Sequence, residues 1–293
     1  MTSALEAFQK HRSSLFALAY RMLGSKQDAE DILQDAFLKF QSVSIDSLES
    51  SQAYLITLVS RQCIDALRRA RYREGYEGPW LPEPLVEETV LQACPSELTH
   101  RYQQVSQGVL WMMEALSPTQ RAVLVLRDVL DLPYERIADI VEKSIDNCRQ
   151  IYRRACQKME LSTGERSSTL AVNQYWMEQL LSALVNADTQ ALLKLLHEDA
   201  SLVSDGGGKA VALSKPLHGR DCILTFLAGL QHYYRDDEVH FRTANINNEP
   251  GILIYVNREP VTTCTLIRQG EQIRHLLMVR NPDKLRTARR EMV

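Results

Sequence analysis

Residues 132–159 read LPYERIADIVEKSIDNCRQIYRRACQKM, and the two apolar periods in this stretch decide the fold of the region around it. Tyr134, Ile137, Ala138 and Val141 fall on one side of a short helix. Ser144 is placed to cap a second helix, whose Cys148, Ile151, Tyr152, Ala155 and Met159 also share a side. The opposite side of that second helix carries Asp146, Asn147, Arg149, Gln150 and Arg153. Two short helices across a tight turn, the second with this outward face, read as a helix-turn-helix. Arginine and glutamine suit guanine and adenine edges in the major groove, while Arg154 and Lys158 suit phosphates. A plain amphipathic hairpin shares the inward pattern; the outward residue types favour groove recognition.

Working outward, residues 116–130, LSPTQRAVLVLRDVL, carry a complete helix start: Ser117 at the N-cap, Pro118 at N1 and Gln120 at N3. Before it, Leu98, Tyr102, Val105, Val109 and Met112 form another helical stripe. Residues 25–40, SKQDAEDILQDAFLKF, open on Ser25 as N-cap, just after Gly24 ends a preceding helix. Ala29, Ile32, Leu33, Ala36, Phe37 and Phe40 face inward. Asp28, Asp31, Gln34, Asp35 and Leu38 face outward, either as a solvated surface or as an acidic docking face with one apolar residue. A further helix from about residue 53 to 73 turns Leu55, Leu58, Val59, Cys63, Ala66 and Leu67 inward. Arg61, Asp65, Arg68 and Tyr72 recur on its outer face, with Gln62 and Arg69 beside them. Arginines interleaved with an aromatic suit a backbone track with a stacking surface for bases. The polar connection QSVSIDSLESSQ lies between these two helices.

The chain has 293 residues, 45% hydrophobic and 24% charged, with a net charge of −3. That is ordinary for a globular protein with two or three domains, and it disfavours a free-standing nucleic-acid binder. The charge is uneven, however. Residues 61–73 hold five arginines against one aspartate, and residues 143–158 hold five basic residues against one aspartate. Such patches in an acidic chain imply local phosphate contacts that depend on another component, or else solvated basic faces. No apolar run approaches the ~20 residues that span a bilayer. The six scattered cysteines lack a CxxC pair, which favours reduced thiols, and with no secretory signal at the start the expectation is a cytoplasmic protein without a membrane partner.

AYRMLGSKQDAEDILQDAFLKF, AYLITLVSRQCIDALRRAR and the run from Leu116 to Ala155 together resemble the two conserved domains of extracytoplasmic-function (ECF) sigma factors of the sigma-70 family. The resemblance implies region 2 over residues 1–73, a linker over 74–95 and region 4 over 96–162. It implies that Asp28, Asp31, Gln34, Asp35 and Leu38 dock on core RNA polymerase. It assigns the −10 element of promoter DNA to Arg61, Gln62, Asp65, Arg68, Arg69 and Tyr72. It assigns the −35 element to Ser144, Asp146, Asn147, Arg149, Gln150, Arg153 and Arg154. Two positions depart from the family: many members carry asparagine at Arg61, and the turn at Glu142 usually holds glycine. A non-glycine residue in a left-handed turn costs roughly 1 kcal/mol.

From about residue 170 the chain changes character. Two short helices, the second capped by Asp188, lead into a strand and the glycine turn DGGGK. Another helix follows, GRDCILTFLAGLQHYY, and then four strand candidates, EVHFRTANI, GILIYVN, VTTCTLIRQ and EQIRHLLMVR. This pattern predicts an α+β domain over 170–293, with helices on one face of a curved antiparallel sheet. It resembles the SnoaL-like, NTF2-like cone, a fold that encloses a pocket. The fold class is therefore multidomain: two all-α sigma domains followed by that cone.

The segment between the helical domains, GYEGPWLPEPLVEE (residues 75–88), combines three prolines with an exposed-looking tryptophan. WLPEP (Trp80, Leu81, Pro82, Glu83, Pro84), DGGGK (Asp205, Gly206, Gly207, Gly208, Lys209) and NPDKL (Asn281, Pro282, Asp283, Lys284, Leu285) resemble the signature motifs of the sigma-factor subgroup that carries this C-terminal domain. The resemblance implies a docked linker, with Trp80 and Leu81 as anchors, and a regulatory C-terminal domain. Asp205 and Lys209 offer a charged clasp, and the GxxxxGK[ST] phosphate-loop pattern is absent. NPDKL reads as a capped turn opening the last helix. The pocket could hold a small apolar ligand. Catalysis by Asp205, His218, His240 or His275 is the rival reading, but no spacing fixes a catalytic pair. The expectation is a non-enzyme with no cofactor and no metal.

Overall fold

The computed structural model describes residues 4–44, 48–69, 75–87, 106–163 and 170–289. Tyr72 and the stripe of Leu98, Tyr102 and Val105 lie outside the described residues. Two compact units emerge: residues 1–74, 93–105 and 112–159 in the first, residues 75–92, 106–111 and 160–293 in the second.

In the first unit, α1 (Ala4–Leu23), α2 (Lys26–Gln41) and α3 (Ser51–Arg69) pack on one another. The Ser25 hydroxyl accepts from the Asp28 backbone N–H at 3.2 Å, so α2 starts where its cap permits. Leu15, Leu18, Met22, Leu33, Phe40, Leu55, Val59 and Cys63 fill the core. The second helical set follows the short helix α4 (Gln107–Met112), most of which belongs to the other unit. It comprises α5 (Pro118–Asp128), α6 (Tyr134–Val141) and α7 (Ile145–Thr163). The capping box at Ser117 and Gln120 is complete, at 3.3 and 3.0 Å. Glu142 adopts φ 55°, ψ 52°, the left-handed conformation that ends α6. Within this unit α5 lies against α1 and α3, and α6 lies against α3.

The second unit is built on a seven-stranded sheet ordered β1-β4-β5-β6-β7-β2-β3. The strands are β1 (Val86–Glu87), β2 (Leu196–Asp205), β3 (Leu217–His218), β4 (Val239–Ile246), β5 (Glu249–Val256), β6 (Glu259–Gln269) and β7 (Gln272–Val279). Strands β4 to β7 form the antiparallel meander, but β2 runs parallel to β7, so the sheet is mixed rather than antiparallel. The cause is connectivity: β2 and β7 are joined by a long crossover through β3, a helix and the meander, not by a hairpin. The two-residue β1 comes from the proline-rich segment, pairing Val86 with Ile246 at the sheet edge.

Alternation along the strands separates two faces. Leu202, Ile252, Cys264, Leu266, Leu276 and Met278 face three helices, α8 (Leu170–Val185), α9 (Thr189–Leu195) and α10 (Arg220–Tyr233). Val203, Leu277 and Val279 face the other way, against Leu81, Leu285 and Trp111. Leu253 and Tyr255 on that second face meet Ala288 of α11 (Arg286–Arg289). The sheet is thus buried on both sides, and its strands read as near-continuous apolar runs for that reason.

Candidate functional site

The second helix of the helix-turn-helix, α7, presents Asp146, Asn147, Arg149, Gln150, Arg153 and Arg154 to solvent, with Cys148, Ala155 and Met159 buried beneath. Ser144 caps it, its hydroxyl accepting from the Asn147 N–H at 3.3 Å. Arg149 pairs with Asp146 at 3.0 Å and lies over the Tyr134 ring, with its guanidinium carbon 5.6 Å from the centroid. Tyr152 donates to Asp128 at 2.7 Å, and that bond with partial burial pushes its phenol pKa up. The helix therefore has a polar face held out by packing underneath, the geometry that groove reading requires.

On α2, Asp31, Gln34, Asp35 and Leu38 are exposed along one stripe, and Asp28 is half-buried at the cap. Leu38 is 58% exposed, an apolar side chain standing among acids. On α3, Asp65, Arg68 and Arg69 are exposed, with Arg68 and Asp65 paired at 3.3 Å. Gln62 is half-buried, and its Oε1 has no partner among the described residues. Arg61 does not simply face solvent. Its Nη2 donates to the Asp139 carbonyl at 2.8 Å and its Nε to the Ile140 carbonyl at 3.2 Å, and Nη2 lies 3.3 Å from Glu142. A guanidinium at the C-terminal carbonyls of α6 meets the negative end of the helix. This contact ties α3 to the helix-turn-helix, and the separation of 78 positions between the partners hides it from sequence reading.

In the second unit the proline-rich segment is held by the other two motifs. Asp205 is fully buried at the end of β2. Its Oδ2 accepts from the Leu81 N–H at 2.8 Å and from Lys284 Nζ at 2.7 Å, and its Oδ1 accepts from the Tyr76 hydroxyl. Lys284 also donates to the Leu81 carbonyl at 2.6 Å. Its ammonium lies 4.1 Å from the Trp80 ring centroid and 5.0 Å from that of Tyr76. Leu81 is fully buried, whereas Trp80 is half-buried and acts as a roof over Lys284. The clasp therefore differs from the Asp205–Lys209 pair that the motif alone offers. Asp205 takes Lys284, and Lys209 takes Asp283 at 2.5 Å on the surface.

Pro82, Glu83 and Pro84 are buried. Gln107 donates to the Pro82 carbonyl at 3.0 Å and accepts from Thr265 at 2.9 Å, linking α4 and β6 to the strap. Space demands Gly206 of DGGGK, and the left-handed backbone demands Gly207 and Gly208. A Cβ on Gly206 would come within 2.6 Å of the Ala210 carbonyl; on Gly207 (φ 57°) it would collide with Asn281, and on Gly208 (φ 69°) with Glu77. Asn281 accepts from the Asp283 N–H at 3.0 Å, forming the turn that leads past Pro282 and buried Leu285 into α11. Tyr76 and Gln107 carried no signal in the sequence, since Tyr76 acts through a partner 129 positions away and Gln107 through partners 25 and 158 positions away.

On the helix-covered face of the sheet lies a cavity of about 350 Å³, lined chiefly by apolar side chains such as Leu227, Leu230, Phe241 and Met278. Cys264 lines it too, with its thiol pKa pushed up to about 12 by burial. The four residues suspected of catalysis do not gather there. Asp205 is engaged by the strap. His240 is exposed and 2.8 Å from Glu238. His218 and His275 flank Ser201 in register, and the Ser201 hydroxyl is 2.7 Å from His275 Nδ1, under Trp111. Asp205 sits four residues further along β2, roughly 13 Å away. Among the described residues no group of three or more His, Cys, Asp or Glu side chains is placed to hold a metal, and no helix is long and apolar enough to cross a membrane.

Comparison with known proteins agrees with this arrangement. Residues 7–73 match the model of Sigma-70 region 2, and residues 108–159 match that of Sigma-70 region 4. The fold and its surfaces thus define a sigma factor of the sigma-70 family. More narrowly, the chain belongs to the ECF RNA polymerase sigma factors. The ECF RNA polymerase sigma factor SigJ of Mycobacterium tuberculosis is 31% identical over 96% of this chain and 92% of its own length. The probable ECF RNA polymerase sigma factor SigI of the same species is 26% identical over 98% of this chain and 96% of its own. The crystal structure of Mycobacterium tuberculosis SigJ superposes with a TM-score of 0.74 at 25% identity, covering 96% of this chain and 98% of that one.

Proposed function

We propose that this alternative sigma factor docks on core RNA polymerase through the Asp31, Gln34, Asp35 and Leu38 stripe of α2, with Asp28 at its edge. The α3 face from Arg61 to Tyr72 would read the −10 element. The exposed side of α7, from Ser144 to Arg154, would read the −35 element. The C-terminal domain serves as a built-in regulator rather than as a catalyst, and the protein works in the cytoplasm.

The observation that carries the regulatory reading is the clasp: Asp205 and Lys284 grip both backbone groups of Leu81, which lies in the segment joining region 2 to region 4. A domain that fixes that segment limits where the two DNA-reading domains can go. Run-off transcription with purified core polymerase tests both parts. The full chain is expected to start RNA at specific sites, and chains cut near Thr169 or near Arg280 are expected to start it at a different level. An activator that is not a sigma subunit would give no transcript with core enzyme alone. If both truncated chains transcribe like the full one, the C-terminal domain has no regulatory part.

A further inference from the structure

Strand alternation carries the cavity toward the clasp. Leu276, Met278 and Arg280 point to the helix-covered face, and Leu277 and Val279 point to the strap. Arg280 is 5% exposed, lines the cavity and has no ion pair among the described residues. Its Nη1 donates to the Val211 carbonyl and its Nη2 to the Tyr234 hydroxyl at 2.5 Å. Its Nε is buried and finds no acceptor among the described residues. The carboxylate of Asp237 also lines the cavity, but it is exposed and accepts from Asn257 at 2.7 Å. A buried guanidinium with no ion pair and one unpartnered nitrogen among the described residues lies in the wall of a chiefly apolar chamber. That combination is unfavourable in the empty state and complementary to one kind of molecule. The volume falls at the lower end of small-molecule sites, which run from about 300 to 1,000 Å³.

We infer that this cavity binds an apolar molecule ending in a single carboxylate. The alkyl body lies against Leu227, Leu230, Phe241 and Met278, and the carboxylate accepts from the Arg280 guanidinium. The inference builds on the reading of the C-terminal domain as a regulator, and it names the class of ligand that the regulator takes. It also supplies a short route to the strap. The backbone N–H groups of Arg280 and Asn281 donate to the Asp205 carbonyl at 2.7 and 2.9 Å, and the Asp205 side chain holds Leu81. A shift of Arg280 onto a ligand therefore acts on the residue that holds the linker.

Calorimetric titration of the full-length chain with decanoate, decan-1-ol and decyltrimethylammonium tests the site. Decanoate is expected to bind at one site, about tenfold tighter than decan-1-ol, and the cation not at all. Arg280→Met should reduce decanoate to the affinity of decan-1-ol while leaving decan-1-ol binding in place. Leu230→Trp, which fills the chamber and keeps Arg280, should abolish both, and it serves as the control should the Arg280 variant fail to fold. No saturable decanoate binding, equal affinity for acid and alcohol, or undiminished binding by Leu230→Trp would each overturn the inference. Binding is read without transcription, so a regulatory domain without this ligand, and a ligand site without regulation, give different outcomes.

Discussion

Lys284 and Lys209 both follow an Asx or glycine turn and both pair with an aspartate, but their surroundings give them different weight. Lys284 Nζ sits between a fully buried carboxylate and two aromatic rings. Removing it leaves the buried Asp205 side chain with the Tyr76 hydroxyl and the Leu81 N–H as its partners among the described residues. Breaking such a pair costs about 3–5 kcal/mol. Lys209 and Asp283 are both about half exposed, where water and salt compete for the pair. Urea unfolding of the full chain should accordingly show Lys284→Met lowering the stability of the C-terminal unit by about 3 kcal/mol or more. Lys209→Met should change it by about 1 kcal/mol or less. A second residue-scale effect comes from Glu249, at the start of β5. Burial raises its carboxyl pKa to about 7, and a hydrogen bond with Ser106 opposes that only in part. Because its folded pKa lies above the unfolded value, the folded state holds the extra proton. Stability therefore falls as pH rises from about 4.5 to 7. Glu249→Gln should flatten that slope and stabilise the protein by about 1–3 kcal/mol at pH 8, measured by unfolding at pH 5 and pH 8.

At the scale of elements, the proline-rich strap behaves as one unit because its contacts are deep in the middle and paired at the end. Leu81 inserts into the cluster of Val203, Leu277, Val279 and Leu285, while β1 adds Val86 and Glu87 to the sheet edge. Trp80 covers Lys284 but remains half exposed. Leu81→Ala should thus cost about 2–5 kcal/mol of local stability and open residues 75–87 to protease, and Trp80→Ala should do so less. Greater cleavage of the Trp80 variant would mean that the indole, not the leucine, is the anchor, and equal cleavage that the two share the role. The sequence pointed to Trp80 and Leu81 together, because size and hydrophobicity are visible in a string of letters, but it could not rank them, because depth is not. Local devices were legible for the complementary reason. The Ser25 and Ser117 caps, the Asp188 cap and the Glu142 turn depend on residues within a few positions of each other. The acidic stripe of α2 and the polar face of α7 follow from helical period alone. The parallel pairing of β2 with β7, the Tyr76–Asp205 bond and the grip of Arg61 on α6 join residues 70 to 130 positions apart. No periodicity records such partners.

At the scale of the whole molecule, the packing within the first unit conflicts with promoter reading by both of its domains at once. Elements centred near −10 and −35 lie about 25 base pairs apart, or roughly 85 Å along B-form DNA. Yet Arg61, on the face assigned to the first element, touches Asp139 and Ile140 in the domain assigned to the second. Arg121 ties the same two domains more deeply. It is 3% exposed, donates to the Met22 carbonyl at the end of α1 at 2.9 Å, and donates twice to the Met113 carbonyl. On the assignments proposed above, the packed arrangement must open before both elements are engaged, and these two arginines oppose the opening unequally. The exposed Arg61 contacts are worth about 1 kcal/mol, and the buried hydrogen bond from a charged Arg121 to the Met22 carbonyl, the one of its bonds that crosses between the domains, about 1.5–3 kcal/mol. With donor and acceptor dyes on exposed positions of α2 and α7, Arg61→Ala should raise the open population of the free protein about fivefold, and Arg121→Met about tenfold or more. Core polymerase should shift the wild type in the same direction, so the two variants should need less polymerase to reach half-maximal opening. Energy transfer that is unchanged in both variants, with wild-type affinity for polymerase, would show that other contacts between α5 and the α1–α3 pair hold the closed form.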